Sequence, residues 1–184
     1  MQNRKIVISG GPGTGKTSLI KGICKQGYTV FKEYSRTIIE EGKLKGKANF
    51  FLSNPYEFSE LLFLGRKEQF EKANSIIFDS NRPYLFFDRG IHDTYAYLDA
   101  LGKSDFYWKD KVSPFKYDLI FLLDPWKSIY KKDAQRMETF EEALEYFPFI
   151  KKVYEQNHSV VIVPKVSIEK RVAFILNYLK DWNE

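Results

Sequence analysis

One cysteine, two histidines and two methionines are all that this 184-residue chain holds of those residue types. Cys24 alone can form no intrachain disulfide, and one thiol inside an apparent helix supplies no metal cluster, so a reducing, cytoplasmic setting is expected. His92 and His158, far apart in sequence, are poor evidence for a metal site beyond magnesium. No apolar run approaches the roughly eighteen residues of a membrane span, and Met1 to Lys5 lead into only four apolar-leaning residues before the glycines begin, too few for a signal peptide, so no membrane contact is expected. Charge of one sign is not concentrated either. The net +5 comes from lysines scattered among acidic residues, which describes a solvated surface and lacks the continuous basic stripe of a nucleic-acid binder.

What is present is the composition of a packed globular protein: 43% hydrophobic, 17% aromatic and 29% charged. The length suits one domain over 1–184, with no repeat, low-complexity tract or linker to divide it. Short β-branched or aromatic runs alternate with helical patterns. Strands are expected at Ile6 to Ser9, Tyr28 to Phe31, Tyr84 to Phe87, Tyr117 to Leu123 and Ser159 to Val163. Helices are expected at 17–25, 34–43, 55–78, 91–103, 127–156 with a break near Pro148, and 168–181 with Ser167 as cap. Asn54-Pro55-Tyr56-Glu57 marks one helix start, with Asn as cap, Pro at the first position and Glu closing a capping box. Alternating strands and helices imply an α/β, three-layer fold: a five-stranded parallel sheet with helices on both faces and a ligand crevice at the carboxyl ends of the strands.

Gly10-Gly11-Pro12-Gly13-Thr14-Gly15-Lys16-Thr17 matches G-x-x-x-x-G-K-[ST], between an apolar strand and a helix, the context that distinguishes a P-loop from a plain glycine-rich turn. With Ser18 it is the candidate cradle for a nucleoside triphosphate: backbone N–H groups surround the phosphates, Lys16 faces solvent until it meets their β and γ oxygens, and the Thr17 hydroxyl ligates Mg²⁺. The absence of an N-K-x-D guanine motif favours ATP.

Four further groups are candidates for the chemistry. Asp88-Arg89-Gly90 follows the third strand, where Asp88 can hold Mg²⁺ and Arg89 can fork onto a substrate oxygen, or the two form a structural pair. Glu33, at the end of the second strand, either takes the proton of an attacking hydroxyl or is an acid placed at a helix N-terminus. Lys131 to Arg136 is either an exposed charged helix or part of a lid over about 126–140, with Arg136 closing on the phosphates. His92 with Asp93, or Arg66 with Gln69, either line an acceptor pocket or are ordinary solvated groups, and Phe50, Phe51, Tyr95, Tyr97 and Trp108 either stack on an aromatic substrate or belong to the core.

Taken together, the P-loop, the Gly27 to Glu33 strand with Arg36 to Ile39 behind it, Phe87-Asp88-Arg89-Gly90, and Asp118 to Trp126 with Arg136 resemble the small AAA-type P-loop domains related to the ribosylnicotinamide kinase region of NadR and the TRPL-translocation-defect proteins. More widely the chain is similar to deoxynucleoside and thymidylate kinases, in which a glutamate after strand two and an acidic-Arg pair after strand three frame the acceptor. That likeness implies a nucleoside-kinase-like fold and roles for Glu33, Asp88 and Arg89. The chain departs from ring-forming AAA motors in lacking an Asp-Glu pair after strand three, a helical lid domain and sensor arginines. Two functions stay open: an ATP-Mg²⁺ kinase of a nucleoside-like or other small hydroxyl acceptor, and a regulatory ATPase or switch acting on a protein partner.

Overall fold

The computed structural model describes residues 2–44, 53–130 and 139–182. Five strands, β1 (Arg4–Gly10), β2 (Thr29–Phe31), β3 (Tyr84–Asp88), β4 (Leu119–Leu123) and β5 (Val160–Val163), form one sheet in the order β2-β3-β1-β4-β5. Every pairing is parallel, with Val7 opposite Phe87 on one side and Ile120 on the other. β3 and β4 are buried along their whole length, the reason their sequences are continuous apolar runs rather than alternating ones.

The pleat sends successive side chains to opposite layers. Ile6, Ile8, Phe86 and Phe121 pack on α1 (Lys16–Lys25) and on the carboxyl-terminal helix Ile168–Asp181, through Leu19, Ile23, Val172 and Ile175. Val7, Leu85, Phe87 and Ile120 face the other way. They meet the long helix Pro55–Ser75, the helix His92–Ala100 and the helix Phe140–Glu155, through Ala73, Ala96, Ile150 and Tyr154. In chain order the helices are α1, α2 (Ser35–Leu44), α3 (Pro55–Ser75), α4 (His92–Ala100), α5 (Phe106–Val112), α6 (Phe140–Glu155) and α7 (Ile168–Asp181).

Local chemistry sets the boundaries. The Asn54 side chain accepts from the Glu57 N–H with Pro55 at the first turn, and Ser167 accepts from Lys170, so both caps lie where expected. Three expectations need correction. Where a helix is expected from 127, a short 3₁₀ turn, Lys127–Ile129, follows β4; 131–138 lie outside the described residues, and a helix starts at Phe140 behind a Thr139/Glu142 capping box. That helix runs through Pro148 to Glu155 without the expected break; Leu144, whose carbonyl loses its helical donor to the proline, is 48% exposed on the solvent side. α5 fills a stretch assigned no element, capped by Asp105 accepting from the Trp108 N–H at 2.9 Å.

Candidate active site

Three adjacent strands, β2, β3 and β1, end at the same edge of the sheet. β1 delivers Gly10 to the P-loop and β3 ends on Asp88, while Glu33 lies two residues beyond β2. In the loop, Gly13 and Gly15 have φ of 75° and 82°, a left-handed turn that side chains with a Cβ adopt only at a cost. The Thr14 hydroxyl donates back to the Gly11 carbonyl at 3.0 Å, and α1 starts at Lys16 with Gly15 as its cap. Such a loop at a helix N-terminus can hold phosphate oxygens.

Lys16 does not face solvent. Its Nζ lies 2.5 Å from Asp88 Oδ1 and 3.8 Å from Glu33 Oε2. Glu33 in turn meets Arg89 Nε at 2.6 Å and Arg66 Nη2 at 3.1 Å, and accepts from the Ser35 backbone N–H at 3.2 Å. Burial opposes its ionisation, but Arg89, Arg66 and Lys16 outweigh that cost, so the carboxyl sits well below the ordinary range. Both alternatives for Glu33 thus have a physical basis: it touches the start of α2 and also stands among three cations.

Asp93 organises the second half of the site. One carboxylate oxygen accepts from the Ser9 hydroxyl and from Arg89 Nη1 (3.0 Å), the other from the Gly90 N–H (3.0 Å) and the Tyr154 hydroxyl (2.6 Å). Although burial favours the neutral form, Arg89, Arg66 and these hydroxyls hold the Asp93 carboxyl low. Arg89 itself has a φ of 72°, unusual outside glycine, and is fixed there by Glu33 and Asp93. Lys16, Arg66 and Arg89 balance Glu33, Asp88 and Asp93, a cluster neutral as it stands.

The remaining candidates divide. Arg66 is buried and bridges Glu33 to the Thr94 hydroxyl, rather than being solvated. Gln69 donates to the Lys32 carbonyl at 2.9 Å and fastens the end of β2 to α3. His92 turns away from the site into a cluster with Tyr117, Tyr154 and His158, its ring 4.5 Å from that of His158. Trp108 is core, and Tyr95 and Tyr97 pack against core clusters. Phe50, Phe51 and Arg136 lie outside the described residues, as does most of the candidate lid. Thr17 and Ser18 are exposed on the first turn of α1.

Sequence reasoning missed Ser9, Tyr154 and Arg171. Ser9 and Tyr154 both grip Asp93, and Arg171 Nη1 donates to the Thr14 carbonyl at 2.8 Å. The spacing of Arg89 and Asp93, one helical turn apart, was the one local signal available. For a metal, no group of three or more His, Cys, Asp or Glu is assembled among the described residues. The donors at hand are the Thr17 hydroxyl and the Asp88 carboxylate, hard oxygens that fit magnesium, an ion that keeps waters and phosphate oxygens for most of its shell. No helix among the described residues is long and apolar enough to cross a membrane.

Solved structures share this architecture. Deoxyadenosine kinase from M. mycoides with bound dCTP superposes with a TM-score of 0.68 at 16% identity, covering 96% of this chain and 99% of that one. The same enzyme with bound dATP gives 0.64 at 19% identity over 96% and 99%. Thymidylate kinase from Candida albicans gives 0.66 at 14% identity over 99% and 93%. At these identities the likeness is one of fold: the P-loop NTPase fold in its nucleoside-kinase-like form. No curated protein matches the sequence. The AAA domain family model, however, matches residues 5–171, from the first strand through Arg171, and the chain belongs to that family.

Proposed function

We propose that this protein is a P-loop kinase that transfers the γ-phosphoryl group of ATP to a hydroxyl of a small, nucleoside-like acceptor. The observation that carries the reading is Glu33: a buried carboxylate 3.8 Å from the P-loop lysine and clasped by Arg66 and Arg89. A hydrolytic switch needs at most one residue to position water and one arginine on the phosphates, and it leaves a carboxylate clasped by two guanidiniums beyond the lysine without a second substrate to serve. A kinase puts them to use, because it must bind and aim a second substrate there. The structures bearing the same fold are of enzymes named for nucleoside and nucleotide acceptors, which supports that class.

In this reading the neutral cluster opens when nucleotide binds. Lys16 turns from Asp88 to the β and γ oxygens, and the freed Asp88 carboxylate and the Thr17 hydroxyl would together hold magnesium. Magnesium held there would offset the charge that develops on the transferring phosphoryl group. Arg89, aimed by Asp93, donates to an oxygen of the acceptor or of the transferring group, and Arg136 is assigned the same task from the lid side. Glu33 accepts the hydrogen bond of the attacking hydroxyl and takes its proton late, once the new bond to phosphorus lowers that proton's affinity. Ser59 and Arg66 lie seven residues apart on α3, and neither the Ser59 hydroxyl nor Arg66 Nε has a partner among the described residues. Polar atoms of an acceptor seated beside Arg89 would satisfy them.

The test is an acceptor screen that follows ADP release with nucleosides, nucleotides and ribosylnicotinamide, each against a control without acceptor. At least one acceptor should raise ADP production and appear phosphorylated. Glu33→Gln should then slow that transfer by roughly 10²- to 10⁴-fold while background hydrolysis changes far less. ADP production indifferent to every acceptor would overturn the kinase reading in favour of a switch.

A further inference from the structure

Arg171 belongs to α7 and lies 157 residues from the loop it touches, where its Nη1 donates to the Thr14 carbonyl at 2.8 Å. It is 2% exposed, and among the described residues no carboxylate pairs with it. Instead its guanidinium stacks 4.9 Å over the ring of Trp126, immediately before the Lys127–Ile129 turn. Taking a guanidinium out of water is costly, and this one is committed to the Thr14 carbonyl and the Trp126 ring.

From Trp126 the chain runs along the P-loop as a strap. A Cβ placed on Gly15 would meet Ile129 Cδ1 at 3.2 Å, and one on Gly13 would run into the Tyr130 ring. Tyr130 also meets Phe140, at the start of α6, edge to face at 5.6 Å. One guanidinium therefore fastens two objects. It holds the peptide just before Gly15 and Lys16, and it pins the near end of the segment that leads to Arg136.

We propose that Arg171 is a positioning residue for the nucleotide, locking the P-loop and the Trp126 to Tyr130 strap into one preformed cradle. The inference rests on the reading that this loop holds a nucleoside triphosphate. A cradle whose parts are fixed beforehand loses less conformational freedom on binding, so unlocking it weakens the complex without removing any contact to phosphate. Nothing in the proposed chemistry uses Arg171 directly. The effect belongs in ATP-Mg²⁺ affinity rather than in the acceptor's KM.

Titration calorimetry with ATP-Mg²⁺, beside thermal unfolding without ligand, tests this in the parent, Arg171→Met, Arg171→Lys, Trp126→Leu and the double variant Trp126→Leu/Arg171→Met. Losing a charged hydrogen bond and its stack should raise Kd about tenfold in Arg171→Met. Lysine keeps the charge but not the flat stacking face, so Arg171→Lys should recover part of the loss. Trp126→Leu should weaken binding on its own, and the double variant should be no weaker than Arg171→Met, the mark of two residues acting as one device. A lower melting temperature with unchanged Kd in Arg171→Met, or in Trp126→Leu should the first fail to fold, would overturn the inference and leave a packing role. A parent that does not bind ATP-Mg²⁺ would instead overturn the reading of the loop, and this inference with it.

Discussion

Mild acid should destabilise this protein through its only two histidines. His92 is 2% exposed, and neither of its ring nitrogens finds a hydrogen-bond partner among the described residues. Burial pushes the His92 imidazole down to about 3, helped by the neighbouring His158 ring and by Lys116. Asp93 alone favours the charged form, and its oxygens are committed to Ser9, Arg89, Gly90 and Tyr154. His158 is lowered as well, by burial and then Lys116. The unfolded chain therefore binds protons that the folded one refuses, and stability present above pH 6.5 is lost as pH falls from there towards 3. At pH 5 the loss from His92 is about 2 kcal/mol, and it hardly depends on the folded value so long as that stays below about 4. The unfolding constant should thus rise about 25-fold between pH 7 and pH 5, with His158 adding to it. Urea unfolding at pH 8, 7, 6 and 5 measures this above the range where the low carboxyls of Glu33 and Asp93 begin to matter. His92→Phe, which suits the ring cluster and cannot titrate, should remove most of the slope and cost little at pH 8. A flat profile in the parent, or an unchanged slope in His92→Phe, would refute the argument.

Lys16→Ala should lower the melting temperature without ligand, since it strands the Asp88 carboxylate, and should abolish the rise in melting temperature on adding ATP-Mg²⁺. A rise equal to the parent's would mean that the loop holds no triphosphate. Asp88→Asn should leave nucleotide binding measurable but slow acceptor-dependent turnover at least about tenfold, with more magnesium needed for half-maximal rate; an unchanged magnesium titration would make Asp88 structural. Asp93→Asn removes the charge that balances Arg89 and leaves donors facing an amide, so it should cost about 3–5 kcal/mol and lower the melting temperature by roughly 6–20 °C. Unchanged melting would show that Arg89 is held by Glu33 alone.

The legible parts of the fold were those specified by neighbours in the chain. Asn54 before Pro55 and Ser167 before Ile168 carry their caps with them, and the strands are apolar because both faces of the sheet are covered. Pro148 misled because the cost of a proline depends on where the orphaned carbonyl points, and only the tertiary structure places Leu144 towards solvent. The 3₁₀ turn after β4 replaces a helix because Ile129 and Tyr130 are drawn onto the P-loop glycines, a contact with partners more than a hundred residues away.

The site divides in the same way. Lys16 opens the helix after the glycine loop and Asp88 and Arg89 stand at a strand end, where spacing alone locates them; Arg66, Tyr154 and Arg171 have meaning only through what lies opposite. Glu33 shows how far the difference reaches into mechanism. Read from sequence it is a carboxylate able to take a proton; among Arg89, Arg66 and Lys16 it is a weak base, since whatever stabilises the anion lowers its affinity for that proton. A reaction requiring full deprotonation before attack would be badly served by it. Phosphoryl transfer through a loose transition state makes no such demand, because the attacking hydroxyl forms little bond to phosphorus at the summit and sheds its proton afterwards. The same cations that weaken Glu33 as a base keep it ionised and fixed beside the P-loop lysine, and position and charge are what the proposed transfer would require of it.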